Sequence, residues 1–448
     1  MSQTLSGSGS QSAEQGPASE AGVVARFPLR EGWKGWGRWA PRPEIAPRFG
    51  LSSVGRNGAS ALEIEARNAL DWGLWRRRVA GVREGQAYKF QALYQVRDVS
   101  LPEQHVRAQI EWLDNKGQSL RPPDFASLVP AAAGDNGWTR LEYRGQAPQR
   151  ACGARLSLSF GWVAGGSVRW GEVALREDHH PASRVVRVLT IYNRPRETYS
   201  STRNVAEFCH KIKASAGLRP DIICLPEGIT LVGTGKSVAQ VSEPLHGPTA
   251  RRLGEEAKKL KCYIVAGIYE REGAAIYNTA LLIGRDGQIA GAYRKTHLPR
   301  EEVEAGLSPG NSYPVFETDF GRVGLLICWD IQFPEPARAL ARRGAELILL
   351  PIWGGDETLT RARAIENHVF LVSSSYDMKS LVLDPTGAVL AEANAHQPLG
   401  LAEVHLDRPI APPWPGDLKA RTWQERRPDL DVEPSTASST CRSRSPMM

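Results

Sequence analysis

The hydrophobic pattern of this chain changes period near residue 180, and that change limits the fold more than any other feature. Before it, apolar residues alternate: AYKFQALYQV puts Tyr88, Phe90, Ala92, Tyr94 and Val96 on one face. HVRAQIEWLD repeats this with Val106, Ala108, Ile110 and Trp112, and ARLSLSFGW with Leu156, Leu158, Phe160 and Trp162. Short period-two runs separated by Gly and Pro predict an all-β sandwich over residues 23–178, with no helix between 85 and 175. From about residue 184 continuous apolar strands (RVVRVLTIYN, DIICLPEG, YIVAGIYE, VGLLICWD, AELILLPIW) alternate with helix-spaced segments such as GPTARRLGEEAKKLKC and FPEPARALARRGA. That pattern predicts an α/β domain whose sheets are covered on both faces.

A chain of 448 residues exceeds one ordinary core, in keeping with two domains. Residues 1–22 and 429–448 hold little that could be buried and are expected to be a disordered arm and tail. Residues 179–184 form the linker. The net charge of +7 is spread along the chain, so nothing marks nucleic acid as a partner. Arg76, Arg77 and Arg78 are expected at a solvated strand edge. No apolar run reaches the ~20 residues of a membrane helix, and the N-terminus lacks the basic start and apolar stretch of a signal peptide. The six cysteines are scattered, without zinc-site pairing, which fits a cytoplasmic setting.

Nine of the 13 tryptophans lie before residue 171, which raises the question of a carbohydrate-stacking surface. Trp112, Trp162 and Trp170 sit on apolar faces and are expected in the core. Trp33, Trp36 and Trp39 lie in an irregular segment and remain candidates for a contact surface.

The chemistry-bearing residues sit at strand ends. Cys328 closes GRVGLLIC where the strand turns through WDIQFPE into a helix, the setting of a nucleophile elbow. Cys224, inside its strand, is expected to be inert core, as are Cys209 and Cys262. A reacting thiol needs a base and gains from a cation. No histidine stands at a strand end. Glu227 in CLPEG and Lys295 in AYRK do, and core packing does not require three reactive groups ending three buried strands. Gly233 to Ser237 looks like a phosphate loop, but Thr230 stands where that motif needs Gly, so it is read as a plain loop.

LPEG, YRKTHLP and LLICWDIQFPE, with RARAIEN and its Arg363, Glu366 and Asn367, resemble the motifs of the nitrilase superfamily of carbon–nitrogen hydrolases. The resemblance runs over residues 185–428. It implies a four-layer αββα sandwich (nitrilase-like), a homodimer or larger homo-oligomer, and no metal or organic cofactor. It further implies Cys328 as nucleophile, Glu227 as general base and acid, and Lys295 as the oxyanion cation. The N–H of Trp329 is a second oxyanion donor, and Trp353 is a substrate contact. Glu304 is the chosen second acid, with Glu302 the alternative. No Arg follows the nucleophile, where Ile331 and Gln332 stand, which disfavours an anionic substrate. The form CWDxxFPE resembles enzymes of N-carbamoyl amines. The N-terminal domain, through SVRWGEVALRE and Gly137-Trp138, faintly resembles carbohydrate-binding-module and galactose-binding-like jelly rolls, so a carbohydrate is a candidate ligand there.

The expected function is hydrolysis of an amide or N-carbamoyl amine through a cysteine thioester. The same residues could act on a nitrile. A different class, a catalytically inactive binding protein working through its β-sandwich, is disfavoured because all three reactive groups are retained.

Overall fold

A computed structural model describes residues 23–27, 34–120, 125–127, 129–133, 137–178, 184–408, 410 and 418–425. The expected disordered arm and tail, most of the linker, and Trp33 lie outside these residues. The chain divides into two compact units: the strands up to Glu177 belong to one and those from Val185 to the other.

The first unit is built from two antiparallel sheets of seven and five strands. In the strand Ala87–Arg97 the alternating face comes out as read, with Tyr88, Phe90, Ala92 and Tyr94 in the core. It faces Ala108, Ile110 and Trp112 of Val106–Leu113 and Leu156, Leu158 and Phe160 of Gly153–Gly161, strands of the other sheet. Full burial of such side chains is worth roughly 1.5–3 kcal/mol each.

Three expectations change. A single helical turn, Pro102–His105, interrupts the strands, with proline at its first position. Trp162 is half exposed, because the strand ends at Gly161 and Trp162 turns through φ +60°. It stacks on Trp72 (5.7 Å between centroids), whose edge meets Trp39, while Arg107 and Arg76 lie over Trp162 and Trp39. Trp36 is buried in the core rather than held at a contact surface. Arg76, Arg77 and Arg78 lie in Trp72–Ala80, which pairs with Gly153–Gly161 along its length but with Gly37–Trp39 only from Leu74 to Arg76, and Arg76 and Arg78 are exposed.

The second unit holds two six-stranded sheets. In the first, Val185–Ile191, Ile222–Cys224 and Tyr263–Glu272 run parallel, and the hairpin Ala275–Ile283/Ile289–Arg294 turns at Gly287 (φ +83°). In the second, Arg322–Leu325, Leu347–Pro351 and Phe370–Ser374 run parallel. Alternate residues sort by layer. Val188, Ile222, Cys224 and Val265 meet Val323, Leu325, Ile327 and Leu349 in a core between the sheets. Leu189, Ile223 and Ile264 face helices Ser201–Ala214 and Pro248–Leu260. Leu326, Ile348 and Leu350 pack on helices Pro334–Arg342 and Glu357–Asn367. The layers are therefore helix, sheet, sheet, helix. Cys224 falls in the inner core, as expected. The phosphate-loop lookalike is a turn whose Ser237 caps the four-residue helix Val238–Val241, a helix the sequence reading did not anticipate.

Candidate active site

Three strand ends converge. Glu227 follows Ile222–Cys224 by three residues, Lys295 follows Ile289–Arg294 directly, and Cys328 follows Arg322–Leu325 by three. Room for Glu227 comes from Gly267 on the neighbouring strand, where a Cβ would stand 2.6 Å from the Glu227 Cα. The Cys328 turn is a sharp one. Its φ of +41° is left-handed backbone, which costs a non-glycine residue on the order of 1 kcal/mol and which surrounding contacts must hold.

The ammonium of Lys295, buried at 1% exposure, donates to Glu227 Oε1 at 3.2 Å and to Glu302 Oε1 at 2.9 Å. The Asn278 amide donates to the same two carboxylate oxygens, 2.7 Å from each. Trp353 N–H donates to the other Glu227 oxygen at 3.0 Å, and the Tyr376 hydroxyl donates to the Glu227 carbonyl at 2.9 Å. Glu227 is thus fixed by three donors to its carboxylate. The Cys328 thiol lies 3.8 Å from the Gly354 carbonyl and is half-buried.

The electrostatics follow from one cation among two carboxylates. Burial pushes the Cys328 thiol up to about 12, the Glu227 charge pushes in the same direction, and Lys295 only partly offsets them. The thiol is therefore neutral at rest, although the sequence reading counted on a neighbouring cation to favour the thiolate. Burial works against the Lys295 charge, but the Glu227 and Glu302 carboxylates outweigh it and keep the ammonium protonated. Burial also raises the Glu302 carboxyl, Lys295 opposes this, and Glu227 adds to the rise.

The second acid is corrected. Glu304 points to solvent and pairs with Arg300, while Glu302 turns inward onto Lys295. Both sit on the single turn Arg300–Glu304, where residues two apart face opposite ways. Trp329, next to Cys328, is 41% exposed. Trp353 is half-buried and edge-on to Tyr376 at 5.1 Å, and what it offers Glu227 is its backbone N–H. Sequence reasoning missed Asn278 and Tyr269. Asn278 was visible as a polar residue in the apolar run YNTALLI. Tyr269 shares the inner face with Val265 and Gly267, and its hydroxyl would lie 3.5 Å from a Cβ on Gly228. Among the described residues no cluster of side chains suits a metal ion.

The carbon-nitrogen hydrolase family model matches residues 194–415. The chain is 32% identical to the omega-amidase NIT2 of Homo sapiens over 231 residues, 46% of this chain and 84% of that protein. It is 35% identical to an (R)-stereoselective amidase of Pseudomonas sp. over 224 residues, covering 46% and 80% of the two chains. A crystal structure of an amidase from Nesterenkonia sp. is 26% identical, covering 56% of this chain and 97% of that one at a TM-score of 0.48. With the motifs in order and most of such relatives spanned, the chain belongs to the carbon-nitrogen hydrolase family of the nitrilase superfamily and is a hydrolase of non-peptide carbon–nitrogen bonds.

Proposed function

We propose that the protein hydrolyses a carboxamide or N-carbamoyl amine through a thioester on Cys328, with Glu227 as base and acid and Lys295 as oxyanion cation. The observation that carries this reading is the Glu227 carboxylate. It is buried and held by three donors, one of them the buried Lys295 ammonium.

The steps follow from the geometry. Because the resting thiol is neutral, Glu227 takes its proton as Sγ attacks the substrate carbonyl. The oxyanion is stabilised by the Lys295 ammonium and the Trp329 N–H, a contribution of roughly 3–4 kcal/mol per donor in a dry site. The tetrahedral species collapses by breaking the C–N bond, and the proton on Glu227 goes to the leaving nitrogen, releasing ammonia or an amine. Water enters, gives a proton to Glu227 and attacks the thioester. Collapse then frees the acid and returns the proton to sulfur. Glu302, rather than Glu304, is the second acid, sharing the Lys295 ammonium and the Asn278 amide with Glu227. Similarity to an omega-amidase and to a stereoselective amidase favours an amide over a nitrile.

The test is ammonia release across a panel of simple amides, N-carbamoyl amines and nitriles. Turnover of an amide or N-carbamoyl amine is the expected result, and turnover of nitriles alone would overturn the substrate class. For the N-terminal unit, two antiparallel sheets over one core support a galactose-binding-like jelly roll. Its Trp39, Trp72 and Trp162 group already carries Arg76 and Arg107 against its rings, which leaves less aromatic face for a sugar.

A further inference from the structure

The elbow and the lysine strand belong to different sheets, so something must fix their separation. Asp330, fully buried two residues after the nucleophile, touches both. One carboxylate oxygen accepts from the Ile327 N–H at 3.0 Å, at the entry of the elbow, and from the Tyr293 hydroxyl at 2.8 Å, two residues before Lys295. The other accepts from the His297 N–H at 3.2 Å and the Thr296 hydroxyl at 3.3 Å, and stands 3.1 Å from His297 Nδ1. The His297 ring stacks on Phe333 at 4.3 Å, just past the elbow. From the far side Arg363 donates to the carbonyls of Ile331 (3.1 Å) and Gln332 (3.3 Å). Lys295 is therefore flanked on both sides along the chain, by Tyr293 and by Thr296–His297, with groups bonded to one carboxylate on the cysteine turn.

We propose that Asp330 is a positioning residue that clamps the lysine strand end to the nucleophile elbow and so sets the separation of Lys295 from Cys328. This rests on the reading of those two residues as cation and nucleophile. A carboxylate suits the task because it accepts several bonds at once on two oxygens and donates none. Asparagine keeps the shape but turns one arm into a donor that faces other donors. Only the relation between the two sheets, not the substrate pocket, is loosened.

The test is a double-mutant cycle on the alkylation rate of Cys328 by iodoacetamide in the full-length protein, with exposed Cys152 replaced by serine. Lys295→Ala should slow alkylation by about tenfold at fixed pH, the scale of removing one close opposite charge. Asp330→Asn should slow it several-fold and move its pH profile upward. In the Lys295→Ala background, Asp330→Asn should change the rate by less than about twofold, because no cation remains to misplace. Equal fold-losses in both backgrounds would overturn the clamp and leave the site reading intact. No effect of Lys295→Ala would overturn the reading of the site itself. Should Asp330→Asn fail to fold, Tyr293→Phe runs the same cycle, since it removes one hydroxyl and keeps the ring. Additivity there overturns the proposal equally.

Discussion

Glu302 and Glu304 differ by two positions on one helical turn, yet one holds the buried Lys295 ammonium and the other a surface arginine. Glu302→Gln should lower kcat by roughly tenfold or more, since it removes the charge on one side of Lys295. Glu304→Gln should change it by less than about twofold, as exposed pairs contribute little. Steady-state kinetics on whichever substrate turns over checks both, and equal losses would contradict the assignment. The thiol offers a second prediction. With Cys328 pushed up to about 12 by burial and then by Glu227, the fraction of thiolate at pH 7 is small and rises about tenfold per pH unit. Replacing Glu227 with Gln removes a cause of the rise, so the free thiol should alkylate faster at a given pH. Turnover should nonetheless fall by on the order of a hundredfold, because no base remains to take the proton during attack. Slower alkylation together with lost turnover would contradict a neutral resting thiol. The three strand-end residues were legible because a charge closing an apolar strand breaks the pattern. The choice of second acid was not, because helix phase over a five-residue turn depends on its tertiary neighbours. The Arg300/Glu304 spacing of four was the available hint.

At the scale of elements, most strands and helices of the second unit follow from where apolar period changes and where Gly or Pro ends it. The hairpin turn at Asp286-Gly287 is one case and the helix opening at Pro334 another. What the pattern hides is close approach. Gly267 lies in extended backbone and is required by space alone, since its missing side chain admits the Glu227 strand end. Gly267→Ala should push that strand end by several tenths of an ångström and cost roughly tenfold or more in kcat, with a smaller effect on KM. A kinetic profile unchanged by this substitution would contradict the packing described. In the first unit, Trp162 shows the matching limit. It continues an alternating run in sequence, but the strand stops one residue earlier, and a period-two pattern does not encode its own end.

At the scale of the whole molecule, the change of period near residue 180 corresponds to two units, each with its own core. The layer order of the second unit could not be read from alternation, because strands buried on both faces are apolar throughout. It came from the family resemblance, and the sorting of Val188 and Ile222 against Leu189 and Ile223 into separate cores displays it. Glu227, Lys295 and Cys328 sit where three strands from both sheets end, so the proposed site depends on this layered unit as a whole. The central claim is that Cys328 carries the acyl group, and it is tested most directly by measuring ammonia release from a turned-over amide with Cys328→Ala. The expected result is loss of all turnover with an unchanged unfolding transition, since a small side chain in a half-buried position contributes little packing. Ammonia release that survives in a folded Cys328→Ala protein would contradict the account.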